Sequence, residues 1–321
     1  EDMMKIESGL FDHIVLQRNR RNLSEARFAG TASGNGEVRA TVTQGSRLVA
    51  GFRNKRVGSV TRGRLTGVLT GLRTGGPYDI DLVVTSGSSE TSDCLRIRDV
   101  LVGDVWLLGG QSNMQGIGLL KGQPKADPLV RAFYMHDRWG VAREPIHNLC
   151  VAVDPVHTDL TGGVRPGPKA PGVGMGPGTA FGLSMRKWTG VPQGLLACAH
   201  GGTSMEQWSP KLRDKGGKSL YGAMLRRLAK NGGHVSGLVW YQGCSEANDA
   251  AALLYTQRMK EFVAALRRDA RDQTLPVVIV QIARAVGWDP KMVRAWNSVQ
   301  DQQRRLADTI RGLAAVPAID L

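Results

Sequence analysis

The sequence predicts an α/β fold built on a parallel sheet and preceded by a small all-β sandwich. Beyond about residue 100, short apolar runs alternate with segments of helical period, which is typical of a parallel sheet covered by helices. Before that point, β-rich runs are separated by clusters of Gly, Ser and Asn. With 321 residues and 41% hydrophobic content, the chain can bury the core of one large domain or two smaller ones.

Residues 1–98 are expected to form the first domain, a jelly-roll-like β-sandwich. No amphipathic helix is evident there, and the turns follow one another too closely for helices on both sides of a sheet. The predicted strands include Val38–Val42, Leu48–Phe52, Leu65–Leu69 and Ile80–Thr85.

Residues 99–321 are expected to form the second domain, which carries the parallel sheet. Two covering helices are predicted at Leu220–Lys230 and Ala251–Asp269, and in the second of these apolar residues recur on one stripe. Residues 120–178 are rich in Pro, Gly and His, so we expect a long loop that helps to build a binding site. The predicted strands are Val102–Leu108, Gly194–Ala199, Val235–Tyr241, Pro276–Ile282 and Leu313–Leu321.

Composition argues against several kinds of partner. The 42 Lys and Arg residues exceed the 28 Asp and Glu residues by 14, an excess that can attract nucleic acid or acidic polymers. The basic residues are spread along the chain without a nucleic-acid-binding motif, so no nucleic-acid partner is expected. The four cysteines lack metal-site spacing, and no apolar run could span a bilayer, so we expect no metal, cofactor or membrane partner.

The compartment and the oligomeric state stay open. The segment Glu1 to Lys5 does not form a signal peptide, so any export signal has been removed or never existed. Secretion or a periplasmic location after signal removal is one expectation that fits this sequence.

A serine directly follows the first predicted strand of the parallel sheet. The strand Val102–Leu108 runs into Gly109-Gly110-Gln111-Ser112. Ligands bind at the carboxyl ends of parallel strands, so Ser112 is a candidate nucleophile. The free N–H groups of a helix that begins there would favour negative charge on a substrate oxygen. This segment alone leaves open a Gly-Ser turn without a catalytic role.

Three segments together resemble a known family. Gly110–Met114, after Gly103–Trp106, resembles the nucleophile block of the sialate O-acetylesterase and acetylxylan esterase group of SGNH hydrolases. Ala199–Trp208 and Val239–Gly243 resemble its Gly-Gly-Thr and Trp-Tyr-Gln-Gly blocks, and His13–Arg18 resembles the start of its β domain. The resemblance implies a flavodoxin-like three-layer sandwich of the SGNH-hydrolase type. It also implies a serine esterase that removes O-acetyl groups from carbohydrates through an acyl-serine intermediate.

The resemblance also implies roles for individual residues. Ser112 would attack the acyl carbon, and the N–H groups of Ser112 and Gly202 with the side chain of Gln242 would hold the oxyanion. A buried structural amide is the alternative for Gln242, and a simple turn glycine is the alternative for Gly202. Trp208 and His200 are candidate substrate contacts; a core-packing indole is the alternative for Trp208.

The chain departs from the family pattern at two places. Where the family often has Glu after Gln-Gly, this chain has Cys244, and a thiol cannot replace a carboxylate. The resemblance places the catalytic His and Asp after the last strand, so both are expected beyond Leu321, in a C-terminal segment that this chain lacks. No histidine is therefore named as the base; the conceivable substitutes are His136, His147, His157 and His200.

The expected partner is an O-acetylated carbohydrate, and the positive net charge favours an acidic sugar. Two alternatives stay open at this point. One is an acetylxylan esterase, which shares the nucleophile block, and the other is a catalytically silent carbohydrate-binding protein that retains the fold.

Overall fold

The computed structural model describes residues 4–85, 91–160 and 174–318, whose strands join into one hydrogen-bonded sheet. Nine strands precede residue 111 in the described ranges. They are β1 Lys5–Ser8, β2 Val15–Gln17, β3 Leu23–Thr31, β4 Gly36–Gln44, β5 Arg47–Leu48, β6 Lys55–Thr61, β7 Arg64–Arg73, β8 Gly75–Thr85 and β9 Thr91–Gly110.

Strands and helices alternate in the rest of the described chain. The strands are β10 Val130–Phe133, β11 Trp139–Val141, β12 Gln193–Ala197, β13 Gly237–Tyr241, β14 Val277–Val280 and β15 Leu313–Val316. The helices are α1 Ser112–Gln115, α2 Pro155–Asp159, α3 Gly178–Thr189, α4 Leu220–Lys230, α5 Asp249–Asp269 and α6 Pro290–Thr309. Short 3₁₀ segments lie at Leu149–Val151, Pro210–Lys218 and Cys244–Glu246. No helix in the described ranges has both the length and the apolarity needed to cross a membrane.

β1 and β3 to β8 form an antiparallel region, in which β1, β3, β7, β6, β4, β8 and β9 are neighbours in that order, whereas β2 pairs in parallel with β9. The predicted strands near residues 40, 67 and 82 are confirmed as β4, β7 and β8. The prediction for Leu48–Phe52 is wrong beyond Leu48. A turn with Gly51 at positive φ follows, and the amide of Val49 and the carbonyl of Phe52 both bond to Val42.

β9 connects the two kinds of pairing within one strand. Its first half pairs antiparallel with β8, and its second half pairs in parallel with β12 and β13. The predicted domain boundary at residues 98 and 99 falls inside this strand.

The parallel strands stand in the order β10, β12, β9, β13, β14, β15, with β11 antiparallel at the β10 edge. Five of these were predicted, although residues 319–321 of the last predicted strand lie outside the described residues. β9 comes first in the chain but lies in the middle of the sheet. The chain moves to one side for β12 and returns to the other side for β13. The carboxyl end of β9 is therefore the topological switch point, where such sheets bind ligands.

β10 and β11 lie in the stretch that was expected to be a long loop. β10 has only four residues and includes Arg131, so its sequence shows no strand period. Arg131 is buried because its guanidinium donates to the carbonyl of Pro128 and to the carboxylate of Asp99 at 2.6 and 2.9 Å. The expectation of a continuous loop over 120–178 is therefore wrong, and residues 161–173 of it lie outside the described part.

The two faces of the parallel strands bury their side chains in separate clusters. Trp106, Leu195 and Val239 belong to one cluster, and Phe181 of α3 packs its ring edge-on against Trp106 at 5.1 Å. The neighbouring positions Leu107, Leu196 and Trp240 belong to the other cluster, together with apolar residues of α4, α5 and α6. Burial on both faces explains why these strands read as continuous apolar runs. The predicted helices α4 and α5 are confirmed.

A buried arginine of α4 holds two strand ends of this sheet. Arg227 has no exposed surface, and its guanidinium donates to the carbonyls of Ala197 and Phe133 at 2.6 and 2.8 Å. It also pairs with Asp137 at 2.8 Å. Because Ala197 ends β12 and Phe133 ends β10, one charged group satisfies the carbonyls at both carboxyl ends.

Replacing this arginine tests how strongly it stabilises the fold. R227M is expected to lower the free energy of unfolding by about 3–5 kcal/mol, since it removes a donor from the carbonyls of Ala197, Phe133 and Tyr134 at about 1–3 kcal/mol each. Urea denaturation followed by circular dichroism measures the loss. R304M, which removes an exposed arginine from α6, is the control and should leave the midpoint unchanged. Equal midpoints for R227M and the original chain would contradict this role.

Candidate active site

Ser112 lies at the carboxyl end of β9, where a glycine permits a tight turn. Gly110 has φ +128°, and a Cβ placed on it would lie 2.2 Å from the carbonyl oxygen of Tyr241. The next amide, of Gln111, donates to that same oxygen at 2.9 Å. A side chain at position 110 would therefore displace β13. The turn leaves Ser112 half-buried at the first residue of α1.

α1 has only four residues, so the expected contribution of a helix dipole is small. What the short helix supplies is a backbone donor. Within the described part of the chain, the amide of Ser112 donates to no other group, because first-turn amides have no intrahelical acceptor.

The Gly-Gly-Thr block follows β12 and contacts the serine turn. The amide of His200 donates to the carbonyl of Gly110 at 3.1 Å, and the amide of Gly201 donates to Oε1 of Gln115 at 2.6 Å. A Cβ on Gly201 would lie 3.6 Å from Cβ of Ser112. Gly202 is exposed at φ +70°, and among described residues its amide has no acceptor. The loop that carries Gly202 thus packs against Ser112 through Gly201, and the N–H groups of Gly202 and Ser112 have no acceptor among the described residues.

Gln242 does not have the predicted orientation. Its side chain has no exposed surface, and Nε2 donates to the carbonyl of Thr203 at 3.1 Å and to the carboxylate of Glu246. Both amide protons are therefore committed. The prediction that Gln242 donates to the oxyanion is corrected, because in this arrangement it is a buried amide that joins the second and third blocks.

Glu246 is a site residue that the sequence reasoning missed. Its Oε1 accepts from the amide of Met205 at 2.7 Å, and its other oxygen accepts from Gln242. Burial raises the pKa of this carboxyl, while these two hydrogen bonds oppose the rise. The family pattern expects a carboxylate in place of Cys244, and the structure provides one two positions later. The available signal was a glutamate shortly after the Trp-Tyr-Gln-Gly block.

Gln111 and Cys244 complete the contact between the serine turn and the third block. Oε1 of Gln111 accepts from the amides of Gly243 and Ser245 at 3.0 and 3.2 Å. Burial raises the pKa of the Cys244 thiol to about 11, so this group is protonated at neutral pH. Cys244 is thus no competing thiolate nucleophile.

Trp208 is a core residue, which corrects its prediction as a substrate contact. Its indole is fully buried, with the ring centroids of Trp240 and Phe262 at 5.0 and 6.4 Å. Nε1 donates to Oγ1 of Thr203 at 2.9 Å. No face of the ring is available to a sugar, and the side chain instead supports the loop that carries Gly202.

His200 is also turned inward, so its ring does not form the predicted substrate contact. Only 4% of the residue is exposed, and its Nδ1 lies 2.8 Å from Nδ1 of His157 in a stacked pair. Burial lowers the pKa of His200 to about 4, and burial together with the adjacent His200 lowers that of His157. Burial also lowers the pKa of His147 to about 3.

No described histidine is placed as the base of Ser112. Among the residues that the structure describes, none accepts or donates a hydrogen bond at Ser112 Oγ, and His136 lies stacked on Tyr134. The catalytic His and Asp that the resemblance places beyond Leu321 stay a prediction.

Comparison with known proteins identifies the family. Residues 102–321 match the family model described as carbohydrate esterase, sialic acid-specific acetylesterase. The chain belongs to this family. Its members are carboxylic ester hydrolases, and its match covers all three blocks described above.

Individual relatives agree with the assignment. A protein of Arabidopsis thaliana named as a probable carbohydrate esterase is 29% identical over 213 residues, covering 60% of this chain and 73% of the relative. The sialate O-acetylesterase of Homo sapiens is 28% identical over 248 residues. That alignment covers 67% of this chain and 46% of the human protein, so the chain matches less than half of its length.

Solved structures share the fold. A carbohydrate acetylesterase from Xanthomonas citri superposes with a TM-score of 0.69 at 23% identity, over 99% of this chain and 69% of the other. A protein of Arabidopsis thaliana gives a TM-score of 0.53 at 25% identity, over 68% and 86%. A mixed α/β fold of the carbohydrate acetylesterase type is therefore confirmed.

The role of Glu246 can be tested with an isosteric change. E246Q is expected to lower the free energy of unfolding by about 1–3 kcal/mol. The new amide has only one acceptor oxygen, so its NH2 group would face the donor of either Met205 or Gln242. E206Q, at an exposed glutamate in the neighbouring loop, is the control and should be neutral. Denaturation midpoints measure both variants, and a neutral E246Q would show that the carboxylate does not hold the two blocks together.

The buried histidines predict that acid weakens the fold. Each is neutral in the folded protein but binds a proton when unfolded, so the unfolded state holds more protons between about pH 6.5 and 4. Stability should fall as pH decreases through that range, with a slope of about 1.4 kcal/mol per pH unit for each histidine. Urea titrations from pH 7 to 4.5 measure the slope. H200Q should make it shallower, whereas H234Q, which changes an exposed histidine, should not.

Proposed function

We propose that this chain is a serine esterase that removes O-acetyl groups from carbohydrates, with Ser112 as the nucleophile. The observation that supports this most directly lies at the switch point of the sheet, where the loop that carries Gly202 packs against Ser112 through Gly201. Ser112 and Gly202 each contribute a backbone N–H without an acceptor in the described part of the chain. Two such donors beside a serine hydroxyl are what an acyl-transfer site requires.

In the proposed reaction, Ser112 Oγ attacks the acetyl carbonyl carbon and its proton passes to the general base. The carbonyl oxygen becomes an oxyanion, held by the N–H groups of Ser112 and Gly202. Collapse of this intermediate breaks the bond to the sugar oxygen, which takes the proton, and leaves acetyl-Ser112. Water then attacks the acyl-enzyme and releases acetate. Each preorganised donor contributes roughly 2.7–4 kcal/mol to such a transition state.

The general base and its acid partner are assigned to residues after the last strand. β15 is in parallel register with β14, so Val316 stands level with Val280 at the carboxyl edge. Residues that follow β15 emerge at the edge that carries Ser112, which supports the expectation that the His and Asp lie beyond Leu321.

Gln242 and Glu246 have a positioning role in this proposal. Gln242 holds the carbonyl of Thr203, one residue after Gly202, and Glu246 holds the amide of Met205. Together they define the path of the loop whose Gly202 N–H points to the oxyanion.

The proposed substrate is an O-acetylated carbohydrate, as the names of the relatives suggest. An acidic sugar is favoured over neutral acetylated xylan because the chain has a net charge of +14. The sugar and the acetylated position distinguish a sialate O-acetylesterase from an acetylxylan esterase.

The finer architecture belongs to the same proposal. Separate buried clusters on the two faces of the parallel strands support a three-layer sandwich. The antiparallel pairing of β1 and β3 to β8 supports a preceding all-β unit, with β9 running through the boundary.

The nucleophile is tested by activity and by covalent labelling. The full chain, including the residues expected beyond Leu321, is expected to release acetate from O-acetylated sialic acid and to gain one adduct from a serine-directed fluorophosphonate, mapped to Ser112. S112A should lose the adduct and reduce kcat by at least about 10³-fold while keeping its denaturation midpoint. S298A, on an exposed position of α6, is the control and should retain both properties.

Two outcomes would contradict the proposal. An adduct on a serine other than Ser112 would assign the role of nucleophile to that serine. Carbohydrate binding without acetate release or adduct would favour the catalytically silent binding protein.

A further inference from the structure

The loop after β14 presents a group of apolar side chains to solvent. Trp288 is 45% exposed, Val286 is 78% exposed, and Met292, in the first turn of α6, is 45% exposed. Exposed apolar residues that lie close together on a protein surface can form part of a ligand-binding site. Trp288 provides the largest flat surface of this group.

The register of the sheet places the start of this loop at the sheet edge that carries Ser112. Gly110 of β9 stands level with Tyr241 of β13, and Trp240 stands level with Ile279 of β14. These strands are parallel, so the chain leaves all three at the same edge. Two strand spacings separate β9 from β14, which amounts to about 10 Å. This is the width of one to two sugar rings.

Trp288 stands on a rigid support. Its ring meets the buried Trp296 edge-on, with centroids 4.8 Å apart and planes at 77°. Nε1 of Trp296 donates to the carbonyl of Ala283 at 2.7 Å. Asp289 caps α6 by accepting from the amide of Lys291 at 2.8 Å. The indole is therefore held from both ends of the loop.

The same loop is tied to the candidate active site through Gln303. Oε1 of Gln303 accepts from the amide of Ile282 at 2.9 Å, and its Nε2 donates to the carbonyl of Gln242 at 2.8 Å. One side chain thus sets the start of the Trp288 loop relative to the end of β13.

We propose that Trp288 is a sugar-binding platform, which stacks on the apolar face of the ring next to the acetylated one. This inference rests on the proposed esterase function. Pyranose rings expose a C–H face that packs on an indole, and binding sites combine such aromatic surfaces with a few polar groups. Trp288 thereby takes the role for which the buried Trp208 is unsuited. Its position makes it a specificity residue rather than a catalytic one.

The test compares a small ester with an extended one. W288A is expected to raise KM for an O-acetylated oligosaccharide by about tenfold, equivalent to about 1.4 kcal/mol, with kcat changed less than about twofold. For 4-nitrophenyl acetate, which is too short to reach the platform, both constants should match those of the original chain. W288Y keeps an aromatic face and should restore most of the affinity for the oligosaccharide, which separates stacking from a merely structural effect.

W188A provides a matched control. Trp188 is 87% exposed at the end of α3, just before β12 begins, so it lies at the opposite edge of the sheet from Ser112. This variant should leave KM unchanged for both substrates.

The outcomes distinguish the two proposals. If the full chain, including the residues expected beyond Leu321, hydrolyses neither ester, the esterase function fails. If it hydrolyses both and W288A retains the original KM for the oligosaccharide, the platform is refuted while the esterase stands. Equal losses on both esters would also overturn the platform and assign Trp288 a structural role in the fold. A change of oligomeric state in W288A with no change in KM would instead assign Trp288 to a contact between copies of this chain.

Discussion

The backbone hydrogen bonds that pair β9 with β12 on one side and β13 on the other are the constraint on which the candidate site depends. These two pairings bring the ends of three strands to one edge, although the strands are far apart in the chain. Gly110 allows β9 and β13 to remain paired up to the turn that exposes Ser112. The loop that carries Gly202 and the loop that carries Trp288 both leave the sheet at this shared edge.

Three buried polar side chains, which we call the polar frame, hold the loops at these strand ends in place. Gln111, Gln242 and Glu246 have little or no exposed surface between them, and their side chains bond to the loops that follow β12 and β13. Groups of this kind are costly to bury unless each finds its partner, so the frame tolerates few alternative loop positions. Its physical consequence is that the loop that carries Gly202 is held against the turn that exposes Ser112.

Much of this could be predicted from local patterns, and the failures have a common cause. The apolar runs of β9, β12 and β13 are buried on both faces, so their sequence identifies them, and the stripe on α5 identifies that helix. β10 was missed because Arg131 interrupts it, and the burial of Arg131 depends on its bonds to Pro128 and Asp99. Trp208 and Gln242 were assigned to the substrate because motifs show proximity to a nucleophile but not the direction of a side chain.

The sequence by itself determined five of the parallel strands, two covering helices, the glycine turn before Ser112 and the three family blocks, because each depends on residues close together in the chain. Only the tertiary structure decided which polar groups are free and which are committed. The amide of Gln242 is used by Thr203 and Glu246, and the ring of His200 is used by His157, 43 positions earlier in the chain. Such partners meet only when the sheet closes, so hydrogen-bond availability is a property of the folded chain.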